Sequence, residues 1–136
     1  MSNALFASGR QAFLEGAIAI LTVDIKLVFV DHGVDTPVPA TDDFLDDIAG
    51  GARVATSGNF ASKTSTGGTF DAADVVVAAV TGAQFESVVI YNDTPAAESG
   101  KHLIAFIDTA TGLPFTPTGN SVTVSFDNGA NKVFTI

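Results

Sequence analysis

The sequence predicts a mainly β protein: a jelly-roll-like antiparallel β-sandwich with a short N-terminal helix and one short acidic helix. Three observations lead there. After Gly51 the chain breaks into short alternating or apolar segments separated by turn-rich stretches, a spacing that builds sandwiches and barrels rather than parallel α/β sheets. Near its end, residues 121–127 and 131–136 alternate on either side of Asn128-Gly129, and Asn-Gly between such runs signals a tight hairpin. The length, 136 residues, suits one domain with a real core and is short for two.

Ser2 or Asn3 can cap a helix over residues 4–15, where Leu5, Phe6, Gly9 and Phe13 recur at helical spacing and Gly16 provides the stop. The lipophilic stretch 17–30 is too short for a membrane span and carries Asp24 and Lys26, so it reads as a buried strand. Within it, period two over 22–31 sets Val23, Ile25, Leu27 and Phe29 on one face and Asp24, Lys26, Val28 and Val30 on the other. Gly33, Pro37 and Pro39 make 32–40 an extended loop. Thr41 then caps an acidic helix over 42–49 that turns Phe44, Leu45 and Ile48 inward and ends at Gly50-Gly51. Strands are expected at 53–57, 59–64, 69–71, 74–80, 86–92 and 102–108, with Gly67-Gly68 as a hairpin turn between Thr66 and Thr69. For the closing pair, a three-residue loop gives the better apolar match. It sets Val122 opposite Ile136, Val124 opposite Phe134 and Phe126 opposite Lys132.

Composition narrows the function. Six Lys and Arg against fifteen Asp and Glu give a net charge of −9, which repels phosphate backbones and argues against nucleic acid as a partner. The apolar share, 46%, is high for a chain with only 15% charged residues, so part of the apolar surface is expected to meet another protein. No cysteine is present, which rules out disulfides, thiolate zinc sites and cysteine nucleophiles. Arg10 and Glu15 precede the apolar run and no small-residue cleavage site follows it, so no secretory signal is read.

Motifs for chemistry are weak. Asp42-Asp43 and Asp46-Asp47 lack the alternation and the glycine of a calcium loop, and acidic residues at a helix start already complement its dipole. His32 and His102 stand apart without a zinc-binding spacing. Gly100-Lys101 follows Pro95 where a phosphate loop needs glycine, and His102 stands where it needs Ser or Thr. No serine occupies a Gly-x-Ser-x-Gly elbow. Neither a catalytic group nor a cofactor is expected. The eleven phenylalanines, with no Trp and one Tyr, read as core rather than as a sugar-stacking face.

The opening Asn3-Ala4-Leu5-Phe6-Ala7-Ser8-Gly9-Arg10-Gln11-Ala12-Phe13-Leu14-Glu15-Gly16 resembles the start of a family of small virion proteins of tailed bacteriophages. Gly51-Ala52-Arg53-Val54-Ala55-Thr56-Ser57, the stretch from Leu103 to Pro114 and the stretch from Phe126 to Phe134 are similar to it as well. Members with an assigned role are capsid cement, or decoration, proteins: all-β modules that oligomerise, often as dimers, on the outside of a capsid lattice. The resemblance therefore implies a non-enzymatic protein made in the host cytoplasm and carried on the virion surface. Its expected partners are the major capsid protein and a second copy of itself, in a dimer rather than a trimer. Where relatives often carry an aromatic residue after the opening glycine, this chain has Ala17 to Leu21. A virion-displayed glycan- or receptor-binding module, or a tail or neck component, are the alternatives. The expected contact residues are Leu5, Phe6 and Phe13 on the N-terminal helix, read as a detachable arm, and Val34, Pro37 and Pro39 on the proline loop.

Overall fold

The computed structural model describes residues 3–136, so Ser2, one of the two candidate helix caps, lies outside the described residues. In chain order the elements are β1 (Ala4–Leu5), α1 (Ala7–Leu14), β2 (Ile25–Val30), β3 (Arg53–Thr56), β4 (Thr64–Thr66), β5 (Thr69–Asp71), β6 (Val75–Val77), β7 (Ser87–Asn92), β8 (Leu103–Ile107), β9 (Val122–Val124) and β10 (Phe134–Thr135). Short 3-10 turns occur at Leu45–Asp47, Gly50–Ala52 and Glu98–Gly100. Every pairing is antiparallel. A five-stranded sheet runs β1-β8-β7-β2-β3, a three-stranded sheet β10-β5-β4, and β6 pairs with β9. The fold is a β-sandwich, as the strand spacing predicts.

The central strands are buried on both faces. On one face Ile25, Leu27, Phe29, Val88 and Ile90 pack with Phe70, Val75 and Val77 from the smaller sheets. On the other, Val28, Val30, Val89, Tyr91, Leu103 and Phe106 are covered by Phe6 and by Leu45, Ile48 and Ala52. Burial on both sides explains why β7 and β8 read as unbroken apolar runs, since only a strand with one wet face alternates. Strand β8 adds one residue against β7. Ile90 faces Ala105 but Tyr91 faces Leu103, so the extra Ile104 joins Ala105 in the first cluster.

The N-terminus is stitched in rather than peripheral. Ala4 and Leu5 pair with Phe106 and Ala105 of β8. Asn3 does not cap the helix; its Oδ1 accepts the N–H groups of Asp108 and Thr109 at 3.0 and 2.9 Å. The helix starts after Phe6, later than the sequence pattern indicates, and its Gly9 lies against β8. A Cβ there would sit 2.4 Å from the Leu103 carbonyl oxygen, so only glycine permits the approach.

Other expectations give way to tertiary partners. Residues 17–23 form turns, not the start of a strand. Residues 59–63 form no strand, although the Phe60 N–H donates to the Ile25 carbonyl of β2 at 2.8 Å, and β4 begins only at Thr64. The acidic helix is a single 3-10 turn at Leu45–Asp47, although Leu45 and Ile48 do turn inward. Gly67-Gly68 forms the expected hairpin between β4 and β5, with φ of 58° and 81° at its two residues. The closing pair is no hairpin. Val122 and Val124 face Val77 and Val75 on β6, whereas Phe134 and Thr135 face Phe70 and Thr69 on β5. The chain passes from one small sheet to the other between them. Among the described residues no helix is long and apolar enough to cross a membrane.

Candidate functional site

One end of the molecule exposes an apolar surface. Helix α1 ends at Leu14, and Gly16, at a φ of 75°, turns the chain back so that Ile18 enters the core. Ala17, Ala19 and Leu21 are left exposed. The Phe13 ring lies 6.3 Å from that of Phe134, which lies 5.3 Å from that of Phe70. With Ile20, Ile136 and the Gly67-Gly68 turn they line an open groove of about 240 Å³ without a charged side chain. Leu14, next in the chain to Phe13, is 89% exposed, and Ile136 is 55% exposed. Such a surface can exclude water and hold an apolar partner, but it offers no group that moves a proton.

A second exposed region belongs to the segment that covers the other core. Residues 31–52 contain little regular structure, and side chains supply what a helix or strand would otherwise give their backbone. Asp31 accepts the Gly33 N–H at 2.7 Å, Asp35 that of Ala49 at 2.8 Å, Asp42 that of Val38 at 2.7 Å, and Asp47 those of Asp43 and Phe44 at 2.8 and 2.9 Å. Arg53 donates to the carbonyls of Leu45 and Ile48, each at 2.7 Å. The aspartates are staples of an irregular loop, not dipole partners of a helix. Burial raises the Asp42 pKa above its ordinary value; the Val38 N–H works against that, and Asp47, Asp35 and Asp43 add to it. No group of three or more His, Asp or Glu side chains among the described residues is placed to hold a metal ion.

The histidines are set apart. His32 Nε2 is hydrogen-bonded to the fully buried Ser87 hydroxyl at 2.8 Å and its ring stacks over Phe106. That bond satisfies a core hydroxyl that solvent cannot reach. His102 sits against the Phe44 ring, 4.7 Å between centroids.

Three of the six basic side chains converge beside Tyr91. Asp93 bridges Lys26 at 2.8 Å and Lys101 at 2.5 Å, and Arg53 pairs with Glu98 at 2.8 Å. Burial alone would raise the Asp93 pKa, but the bonds and charges of the two lysines outweigh it and hold the carboxyl below its ordinary value. Burial, aided by the Asp93 charge, pushes Tyr91 up to about 12.

No protein-family model matches the chain, and a search of curated proteins finds no match.

The structure separates the contact residues expected from sequence. Phe6 is fully buried, edge-on to Phe106 at 6.4 Å, and so cannot face a partner. Its position within a helical pattern conceals that it precedes the helix and points into the second core. Pro37 is buried and Pro39 half-buried, its carbonyl accepting the Ala7 N–H at 2.9 Å. Leu5 is half-buried on β1. Phe13 lines the apolar groove, and Val34 is 56% exposed on the loop. Sequence reasoning missed Leu14, Ile20, Leu21, Phe134 and Ile136. For Ile20 and Leu21 the available signal is the absence of charge from Gly16 to Val23, most of it within the stretch 17–30 that the sequence assigns to a strand.

Proposed function

We propose that the chain is a non-enzymatic capsid cement protein that binds the outer face of a bacteriophage head and ties neighbouring major capsid subunits together. The observation that carries this reading is the apolar groove lined by Phe13, Ile20, Phe134 and Ile136, with the exposed Leu14 next in the chain to Phe13, on a chain of net charge −9. Apolar surface of this kind favours a protein partner, and the resemblance of the sequence to phage virion proteins is the reason for proposing a capsid subunit as that partner. Assembly of the cement as a dimer would multiply weak contacts on a repeating lattice. Burying a leucine contributes about 1.5–3 kcal/mol, so Leu14→Glu should lower affinity for heads by at least about tenfold while the thermal midpoint stays unchanged. Sedimentation of purified protein with assembled heads tests this. Normal occupancy by Leu14→Glu, or no binding by the wild type, would overturn the reading.

One feature favours a glycan-binding alternative. A second groove of about 240 Å³, lined by Thr64, Thr66, Thr69, Asp71 and Lys132, offers hydroxyls and charge suited to sugar hydroxyls. Cell-surface polysaccharide binding that is lost in Asp71→Asn and kept in Leu14→Glu would select it.

A further inference from the structure

The Asn128-Gly129 pair, freed from the hairpin role its sequence suggests, lies in the exposed crossing between β9 and β10. Both ends of its peptide group are engaged by charges. The Gly129 N–H donates to Asp127 Oδ1 at 3.0 Å, and the Asn128 carbonyl accepts from Lys132 Nζ at 3.1 Å. Lys132, at a φ of 50°, turns the chain back so that its ammonium reaches that oxygen. An ammonium on the carbonyl withdraws electron density from the amide, and a carboxylate on the N–H is placed to receive its proton. Lys132 thus favours loss of the amide proton, and Asp127 is placed to receive it.

We propose that Asn128 is a self-modification site, a deamidation centre in which Asp127 and Lys132 activate the Gly129 nitrogen. Asp127 takes the Gly129 amide proton as general base. The nitrogen forms a bond to Asn128 Cγ, the Cγ–Nδ2 bond breaks, and Nδ2 departs as ammonia with the proton returned to it. The product is a cyclic imide. Water then adds to either imide carbonyl, reopening the ring to aspartate or to the β-linked isomer, with no change of oxidation state. Glycine after the asparagine leaves the attacking nitrogen unhindered, and Asn128 is the only asparagine of the sequence that precedes glycine. Asn92 is buried, with its Oδ1 accepting the Thr94 N–H, and Asn3 is committed to Asp108 and Thr109. The new carboxylate arises at the rim of the threonine-lined groove, two of whose walls are Gly129 and Lys132. It adds a negative charge where that groove holds its cation. This inference is independent of the capsid reading.

The test is ageing of the purified full chain at neutral pH and constant temperature, with ammonia release and peptide mass mapping as readouts. Because the activating groups are assembled only in the fold, conversion of Asn128 should run at least about tenfold faster in native buffer than in concentrated urea. Asp127→Ser and Lys132→Gln, both at exposed or half-exposed positions and checked by thermal melts, should each slow it several-fold. Conversion at Asn128 no faster in the native chain than in urea would overturn the proposal. So would variants that react at the wild-type rate, or equal conversion at Asn120.

Discussion

Phe6→Ala separates an integral N-terminus from a detachable arm. The Phe6 side chain is wholly buried among Val30, Val89, Leu103 and Phe106, and its neighbours are anchored by Leu5 on β8 and by the Ala7 N–H on Pro39. They cannot collapse freely into the space it would leave. Truncating a buried phenylalanine costs about 3–5 kcal/mol through lost transfer energy and the residual cavity, and the edge-on contact with Phe106 places this site in the upper half of that range. At this chain length 1 kcal/mol moves the midpoint by roughly 3–4 °C, so the expected drop is roughly 12–20 °C. Scanning calorimetry or a urea titration reads it. Phe6→Leu, which keeps most of the volume, should cost only about 1–1.5 kcal/mol. A drop of less than about 2 °C for Phe6→Ala would refute the reasoning, because it would place Phe6 with exposed substitutions of about 0.5 kcal/mol.

Gly9→Ala should cost about 1–3 kcal/mol, since its methyl meets the Leu103 backbone rather than a movable side chain, and a urea midpoint checks it. Asp93→Ala leaves Lys26 and Lys101 facing each other without their carboxylate and should cost about 2 kcal/mol at neutral pH. The folded pKa of Asp93 lies below its ordinary 3.8, so that stabilisation is complete above about pH 4 and fades as pH falls through the lowered value; melts of wild type and variant should converge there. Tyr91 keeps its proton up to about pH 12 when folded and loses it near 10 when unfolded. Its contribution is therefore full below pH 10 and is lost as pH rises toward 12, and Tyr91→Phe should unfold at a higher pH than wild type in an alkaline titration.

The elements legible from sequence are those whose burial repeats along the strand. Arg53–Thr56, Ser87–Asn92 and Leu103–Ile107 stand close to their expected places, and Gly67-Gly68 makes the turn its backbone freedom allows. Period two names the face of a strand but not its partner. Val122 and Val124 match Val77 and Val75 as well as they match any residue of 131–136, and Phe134 finds Phe70, so non-local pairs displaced the local hairpin. The spacing of Phe44, Leu45 and Ile48 fits a helix, but four aspartates satisfied the backbone of 31–52 by another route that leaves no periodic trace. At the apolar end, Phe13 was legible from its helical spacing. Ile136 and Phe134 were not, because they arrive from the far end of the chain.

The pairing of Ala4 with Phe106 has a consequence for how the protein is made. Its first strand is synthesised about a hundred residues before the strand it joins, which at 5–20 residues per second is a wait of roughly 5–20 s. Throughout that time Phe6 has no Phe106 to meet, and for most of it neither β7 nor β8 exists to form the middle of the sheet. The opening segment must therefore stay unpaired on the ribosome while nearly the whole chain emerges. The N-terminus can join the sheet only once β8 has provided its edge, and a cell that makes this protein in quantity must keep that exposed segment from pairing with a neighbour's.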